Sequence, residues 1–195
     1  FTWVDKTISN SKPTLKLIQR KYGVSMNKLA YVPSGFHLEK YLQSTQKNKN
    51  VFFLGRLVEN KGVLLFEKIL CSLPKDWTFT VVGDGPLKSY VLDLAKKYSS
   101  LDYRGKLPPE QFIPLLAKSS ILVLPTFAEG SPRVVTEAMA SKVVPVSFDA
   151  GDVPTILDGK NGFSVPMFDI VAFSSKIRLL TENNTLREKM ALQAF

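Results

Sequence analysis

Two carboxylates, Glu129 and Glu137, stand eight residues apart around the segment Glu129-Gly130-Ser131-Pro132-Arg133-Val134. Before them runs Ile121-Leu122-Val123-Leu124, an apolar stretch short enough for a buried strand and ended by Pro125. After them, Ser131-Pro132 reads as an N-cap with Pro at the first helical position, where its missing N–H costs nothing. The helix then turns Val134, Val135, Ala138 and Met139 toward a core. It carries Glu137 about a turn and a half along, roughly 7–8 Å further up the axis. A helix N-terminus after a strand offers unpaired amides and the positive end of a dipole, a place for anions and hydroxyls. The plain alternative for Glu137 is an exposed residue paired with Arg133. That pair has the weaker order and puts Arg at the positive helix end. Glu129 alone reads as an acid favoured near a helix start.

Other strand ends carry matching chemistry. Val51-Phe52-Phe53-Leu54 is followed by Gly55 and Arg56, with Lys61 five further on. Trp77 to Val82 is followed by Gly83-Asp84-Gly85-Pro86, and Leu101 to Arg104 by Gly105 and Lys106. Glycines let backbone approach a ligand closely. Arg56 can grip a diphosphate with two bonds, and Lys61 adds a point charge. One cation at a strand end is ordinary surface; four strand ends converging on glycine, cation and carboxylate are a site.

Strands alternating with helices position these groups. The spacing predicts a short strand end at Lys6 to Ser9, then a helix from Ser11 and Pro13 to Tyr22, stopped by Gly23, with Leu15, Ile18 and Tyr22 apolar. Leu29 to Pro33 reads as a strand and Ser34 to His37 as a loop. Gln43 to Asn50 reads as a polar linker. Helices are expected at 61–73, to about 98, at 108–118, near 154–157, at 169–181 and at 184–194. Further strands are expected at 143–148 and 161–165. The fold class is α/β, a Rossmann-like parallel sheet with helices on both faces, whose ligands lie beyond the carboxyl ends of the strands.

Composition narrows the functions. The chain has 195 residues, 45% of them hydrophobic, and a mean hydropathy near zero, enough for one full core. No apolar run is long enough to span a bilayer and no N-terminal signal pattern stands out; with a single cysteine, a reducing cytoplasmic setting fits. Cys71, the single cysteine, is expected to be a small core residue. Net charge is +9, carried mostly by residues 1–61, where eleven Lys and Arg face three acids; the rest holds 15 against 14. Lys12, Lys16 and Arg20 form a basic stripe suited to peripheral contact with the anionic inner face of a membrane. His37 is the only histidine, so no His/Cys metal site is expected. No nucleotide-binding G-x-G-x-x-G or phosphate-loop pattern occurs, and no Asp-x-Asp suggests metal-held diphosphate.

The segment Phe127-Ala128-Glu129-Gly130-Ser131-Pro132 with Glu137-Ala138-Met139-Ala140 resembles the E-x7-E donor signature of the retaining glycosyltransferases of GT-B fold, family four (group 1). Phe53-Leu54-Gly55-Arg56 with Lys61-Gly62 resembles that family's phosphate segment. Val82-Gly83-Asp84-Gly85-Pro86 resembles its G-x-G-P turn, and Gly105 with Pro109-Glu110 its base-binding strand end. The likeness covers about residue 7 to the end and departs at Ser34 and His37.

By that resemblance, Glu129, Arg56 and Lys61 would be catalytic, with Arg56 and Lys61 on the donor diphosphate. Glu137 would accept bonds from the ribose hydroxyls, and Gly130, Ser131, Pro132, Arg133 and Val134 would hold the transferred sugar. Gly55, Gly83, Gly85, Gly105 and Lys106 would complete the donor site. The substrate would be a UDP- or GDP-hexose, with no cofactor and no metal. The family's fold needs two Rossmann-like domains, so residues 1–28 would end a preceding acceptor domain or interdomain segment and residues 29–195 would form the nucleotide-sugar domain. An acceptor glycan or glycolipid would sit on the absent domain, leaving this chain inactive alone. The competing readings are a non-catalytic nucleotide-sugar-binding module or partner subunit, a sugar-nucleotide epimerase of the same architecture, and a nucleic-acid binder. The near-neutral C-terminal two thirds argues against the last.

Overall fold

The computed structural model describes residues 4–32, 35, 38–41 and 46–194. Ser34 and His37, where the sequence departs from the family pattern, lie outside the described residues. Strand β1 (Thr7–Ser9), helix α1 (Lys12–Tyr22) and strand β2 (Leu29–Tyr31) form one unit, the two strands pairing in parallel. The Ser11 hydroxyl caps α1 by accepting from the Thr14 amide at 3.3 Å. Gly23, left-handed at φ 64°, closes its other end. Leu15 and Ile18 are half-buried, but Tyr22, expected on the same apolar face, is 55% exposed. An 11-residue helix is about 16 Å long and three-residue strands only about 10 Å, so the last turn overhangs the sheet. β2 pairs with β1 and not with the six-stranded sheet that follows.

From Asn50 the strands are apolar on both faces and need cover on both. They are β3 (Asn50–Leu54), β4 (Thr78–Val82), β5 (Leu101–Gly105), β6 (Ile121–Leu124), β7 (Val144–Phe148) and β8 (Phe163–Val165). All are parallel, in the order β5-β4-β3-β6-β7-β8. The helices between and after them are α2 (Phe66–Ser72), α3 (Lys88–Lys97), α4 (Pro109–Lys118), α5 (Arg133–Ala140), α6 (Val153–Ile156), α7 (Ile170–Glu182) and α8 (Asn184–Ala194). Val51, Phe53, Phe79, Val81 and Val123 pack with α2, α3, α7 and α8. Phe52, Val82, Leu122 and Leu124 pack with α4, α5 and α6. This is the period-two division of a strand buried on both sides.

Two expectations fail locally. Lys61–Leu73 is not one helix: short 3-10 turns at Glu59–Lys61 and Val63–Leu65 precede α2, because Gly62 at φ 68° breaks the helical path. Cys71 is exposed, not core. Phe66, Ile69 and Leu70 take the sheet-facing stripe of α2, and position 71 turns away from it, leaving Sγ 3.6 Å from the Tyr98 hydroxyl. No helix among the described residues is long and apolar enough to cross a membrane.

The expected linker docks firmly at its end. Lys47 Nζ donates to the Ala117 and Ser141 carbonyls, both at 2.6 Å, tying together the C-terminal ends of α4 and α5. Asn50 donates to Thr78 and Thr80 and accepts from Ser119, fastening β3 to its neighbours. Burial, and then the nearby Lys142 charge, push the Lys47 pKa down from 10.5 to about 8. Below pH 8 folded and unfolded chains both hold the proton, and the folded chain bears the whole burial penalty. Between 8 and 10.5 the folded chain releases it first, so the unfolded chain binds more protons and stability rises with pH. Urea midpoints at about pH 7.5 and about pH 9.5 are expected to show that rise, and Lys47→Met to flatten it. Identical pH slopes in the two chains would contradict this account of Lys47.

Candidate functional site

The strand order reverses between β3 and β6, and their ladder is short. Only Val51↔Ile121 and Phe52↔Leu122 pair, although the strands continue to Leu54 and Leu124. Their carboxyl ends are therefore unzipped, which leaves a crevice at the switch point where parallel sheets hold ligands.

On one side, over the ends of β3, β4 and β5, lies a cavity of about 660 Å³. Gly55, Arg56, Gly83, Gly85 and Lys106 all line it, together with Asp84 and apolar Leu54, Val82 and Leu107. Arg56 and Lys106 are exposed cations at its rim. Two of these glycines also have a packing role inside the fold. A Cβ at Gly83 would stand 1.8 Å from the Gly55 carbonyl oxygen, and one at Gly85 2.6 Å from that of Leu57. They let two strand-end loops cross backbone on backbone. Gly105 lies behind the lining, its carbonyl accepting from the Gly83 amide at 2.8 Å. The Tyr103 hydroxyl donates to the Gly83 carbonyl at 3.0 Å, and burial, with the Asp84 charge second, raises its pKa.

On the other side are Lys61, Glu129 and the start of α5. The Lys61 ammonium donates to Glu129 Oε1, with side chains 23% and 12% exposed. This pair joins the β3 and β6 ends across 68 residues. Two further bonds brace the Lys61 turn against β6: the Asn60 carbonyl accepts from the Phe127 amide at 2.8 Å and from the Thr126 hydroxyl at 3.0 Å.

Helix α5 starts one residue later than expected. Pro132 is its cap residue at ψ 102°, Arg133 its first helical residue, and Ser131 makes no cap bond. The Gly130 carbonyl is held by the Asp152 amide at 2.8 Å, which draws the turn aside before the helix begins. Proline carries no side-chain acceptor, so the amides of Arg133 and Val134 keep the positive helix end available. Arg133 is exposed, and no ion pair among the described residues joins it to Glu137.

Glu137 is 9% exposed on a helix face otherwise buried through Val135, Ala138 and Ala140. That excludes the plain reading of a solvent-facing pair. The Tyr41 hydroxyl faces it, its pKa driven up by burial, then by hydrogen bonding to Glu137 and by the Glu137 charge. Tyr41 is a site residue with no signal in the sequence, since it stands in a loop beside polar residues. Among the described residues, no group of three His, Cys, Asp or Glu could hold a metal ion.

Comparison with known proteins joins the two halves of this picture. The family model "Glycosyl transferases group 1" matches residues 48–183. The chain belongs to that family. A curated relative, the GalNAc-alpha-(1->4)-GalNAc-alpha-(1->3)-diNAcBac-PP-undecaprenol alpha-1,4-N-acetyl-D-galactosaminyltransferase of Campylobacter jejuni, is 30% identical over 178 residues, 86% of this chain and 48% of that protein. The chain thus spans about half of that glycosyltransferase's length. Among solved structures, Anabaena Alr3699/HepE in complex with UDP matches with a TM-score of 0.88 at 20% identity, covering 99% of this chain and 58% of that one. The C-terminal domain of a group 1 glycosyl transferase (LpcC) from Francisella tularensis matches with a TM-score of 0.72 at 22% identity, over 82% of this chain and 94% of that one. The six-stranded sheet and its helices are the Rossmann-like domain of a GT-B glycosyltransferase.

Proposed function

We propose that this glycosyltransferase chain is the donor-binding half of a retaining enzyme that takes a hexose from UDP or GDP to an acceptor glycan or glycolipid. The observation that carries the reading is the buried Glu137 carboxylate receiving a hydroxyl from Tyr41. A carboxylate kept nearly dry on an apolar helix face, with a hydroxyl as its partner, is a reader of hydroxyls. The ribose diol of a nucleotide is the ligand that the neighbouring cavity can bring to it.

The base and ribose would occupy the cavity from Gly55 to Lys106, and the diphosphate the unzipped crevice. There Arg56 and Lys61 stabilise the charge that develops as the nucleoside diphosphate departs. The α5 amides and the Glu129–Ser131 turn would hold the sugar. Lys61, bonded to Glu129, links the group that meets the phosphate to the turn that meets the hexose. No metal enters this scheme, because two cations and a helix N-terminus supply the positive field. The UDP in the Anabaena structure supports a nucleotide donor for the shared fold. The acceptor, and with it transfer activity, would require the remainder of a two-domain protein.

A thermal-shift panel of UDP-, GDP- and ADP-sugars on the purified chain tests this. A ligand at about a hundred times its Kd adds roughly 2.7 kcal/mol. A shift with the sugars of one base is expected; no shift with any of them would contradict the donor-site reading.

A further inference from the structure

Asp152, in the turn between β7 and α6, is 1% exposed. Its Oδ1 accepts from the Lys12 amide at 3.1 Å and stands 3.5 Å from the Ser11 hydroxyl oxygen, across 140 residues of chain. Both partners belong to the first turn of α1. The second carboxylate oxygen, Oδ2, is buried without a hydrogen-bond partner. The backbone of the same residue faces the other way: its amide donates to the Gly130 carbonyl at 2.8 Å. Next to it, Gly151 sits so close to the sugar-side turn that a Cβ would come within 2.3 Å of the Gly130 oxygen and 2.4 Å of the Glu129 oxygen. A Cβ on Gly130 would in turn lie 3.9 Å from the Ser11 Cβ.

One residue therefore grips α1 with its side chain and the Glu129–Gly130–Ser131 turn with its backbone. Most of the packing of α1 is against its own strands β1 and β2, so this grip is an added tie to the main domain. A carboxylate suits the α1 side, where unpaired amides and the positive dipole end meet it. A buried carboxylate with one oxygen left unbonded is, however, an expensive cap; the carboxylate that caps α7, Asp169 accepting from the Ala172 amide at 2.9 Å, is exposed.

We propose that Asp152 is a positioning residue, coupling the β1–α1–β2 unit to the turn that holds the donor sugar, so that both set the sugar's place together. This rests on the donor-site reading above. It predicts that loss of Asp152 disturbs recognition of the sugar while leaving the nucleotide cavity, which it does not touch, intact.

The test compares the full chain with Asp152→Ala and Asp152→Asn. Without ligand, amide exchange at residues 11–15 and 129–135 is expected to quicken together in Asp152→Ala, with β4 and β5 unchanged. Asp152→Asn keeps an acceptor for the Lys12 amide and is expected to restore slow exchange in both. Titrations with UDP-glucose against UDP, and GDP-mannose against GDP, then read the preference for the sugar-bearing form. That preference is expected to fall about tenfold in Asp152→Ala, the size of an ordinary coupling between sites, with affinity for the bare diphosphate unchanged. Faster exchange confined to residues 11–15, with the sugar preference intact, would overturn the coupling and leave the donor reading standing. Failure of the parent chain to bind either diphosphate would overturn the donor reading and the proposal with it.

Discussion

Glu137→Ala is expected to lower affinity for the nucleotide sugar about a hundredfold. A hydrogen bond to a charged group is worth about 1.5–3 kcal/mol, and a ribose diol offers two. Part of that gain is offset, because the Tyr41 hydroxyl must release the carboxylate for the ribose to take its place. A net loss of roughly 3 kcal/mol corresponds to the hundredfold change. Calorimetric titration of the donor that gives the largest thermal shift would measure it, with circular dichroism showing that α5 is retained. Equal affinity in the two chains would remove Glu137 from the site. Tyr41→Phe gives the companion comparison, since it frees the carboxylate and should tighten binding if the hydroxyl competes with ribose.

Gly62→Ala is expected to destabilise the chain by more than about 4 kcal/mol, a size reserved for changes that force backbone apart. Gly62 sits at φ 68°, where an L side chain alone costs roughly 1 kcal/mol. Most of the loss is steric. A Cβ would lie 1.9 Å from the Pro125 carbonyl oxygen and 2.8 Å from its carbon, both in rigid backbone at the end of β6. Relief requires the Glu59–Lys61 turn to lift away, which breaks the bonds from Phe127 and Thr126 to Asn60 and separates Lys61 from Glu129. Urea unfolding would measure the loss. A loss near 1 kcal/mol, the φ penalty alone, would show that the two strand ends are not packed as tightly as described.

The parts of the site that could be read from the sequence are those fixed by local pattern. Alternating strands and helices put every strand's carboxyl end on one edge. Arg56, Gly83, Gly85 and Lys106 therefore meet around one cavity, and Lys61 meets Glu129. The weak Arg133 pairing already disfavoured an exposed ion pair for Glu137, and the carboxylate is buried.

What escaped the sequence depends on contacts made across long stretches of chain. Nothing in the residues around Tyr41 signals that it reaches Glu137. Asp152 reads as an ordinary turn acid until α1 is seen to land on it. Gly83 and Gly85 were legible as necessary glycines but not as backbone crossings, because only the fold shows which loop lies opposite. Cys71 and Tyr22 erred the same way: helical periodicity gives a face, but the extent of sheet beneath it decides which residues are covered.

The most direct measurement is a map of backbone amide NMR shifts in the 21.8 kDa chain as UDP and GDP are titrated in. A donor site at the switch point predicts that one of them shifts the amides of residues 55–57, 83–85 and 105–107, with those of 130–135 following when the sugar is attached. Shifts confined to the basic stripe of Lys12, Lys16 and Arg20, or none at any strand end, would contradict it.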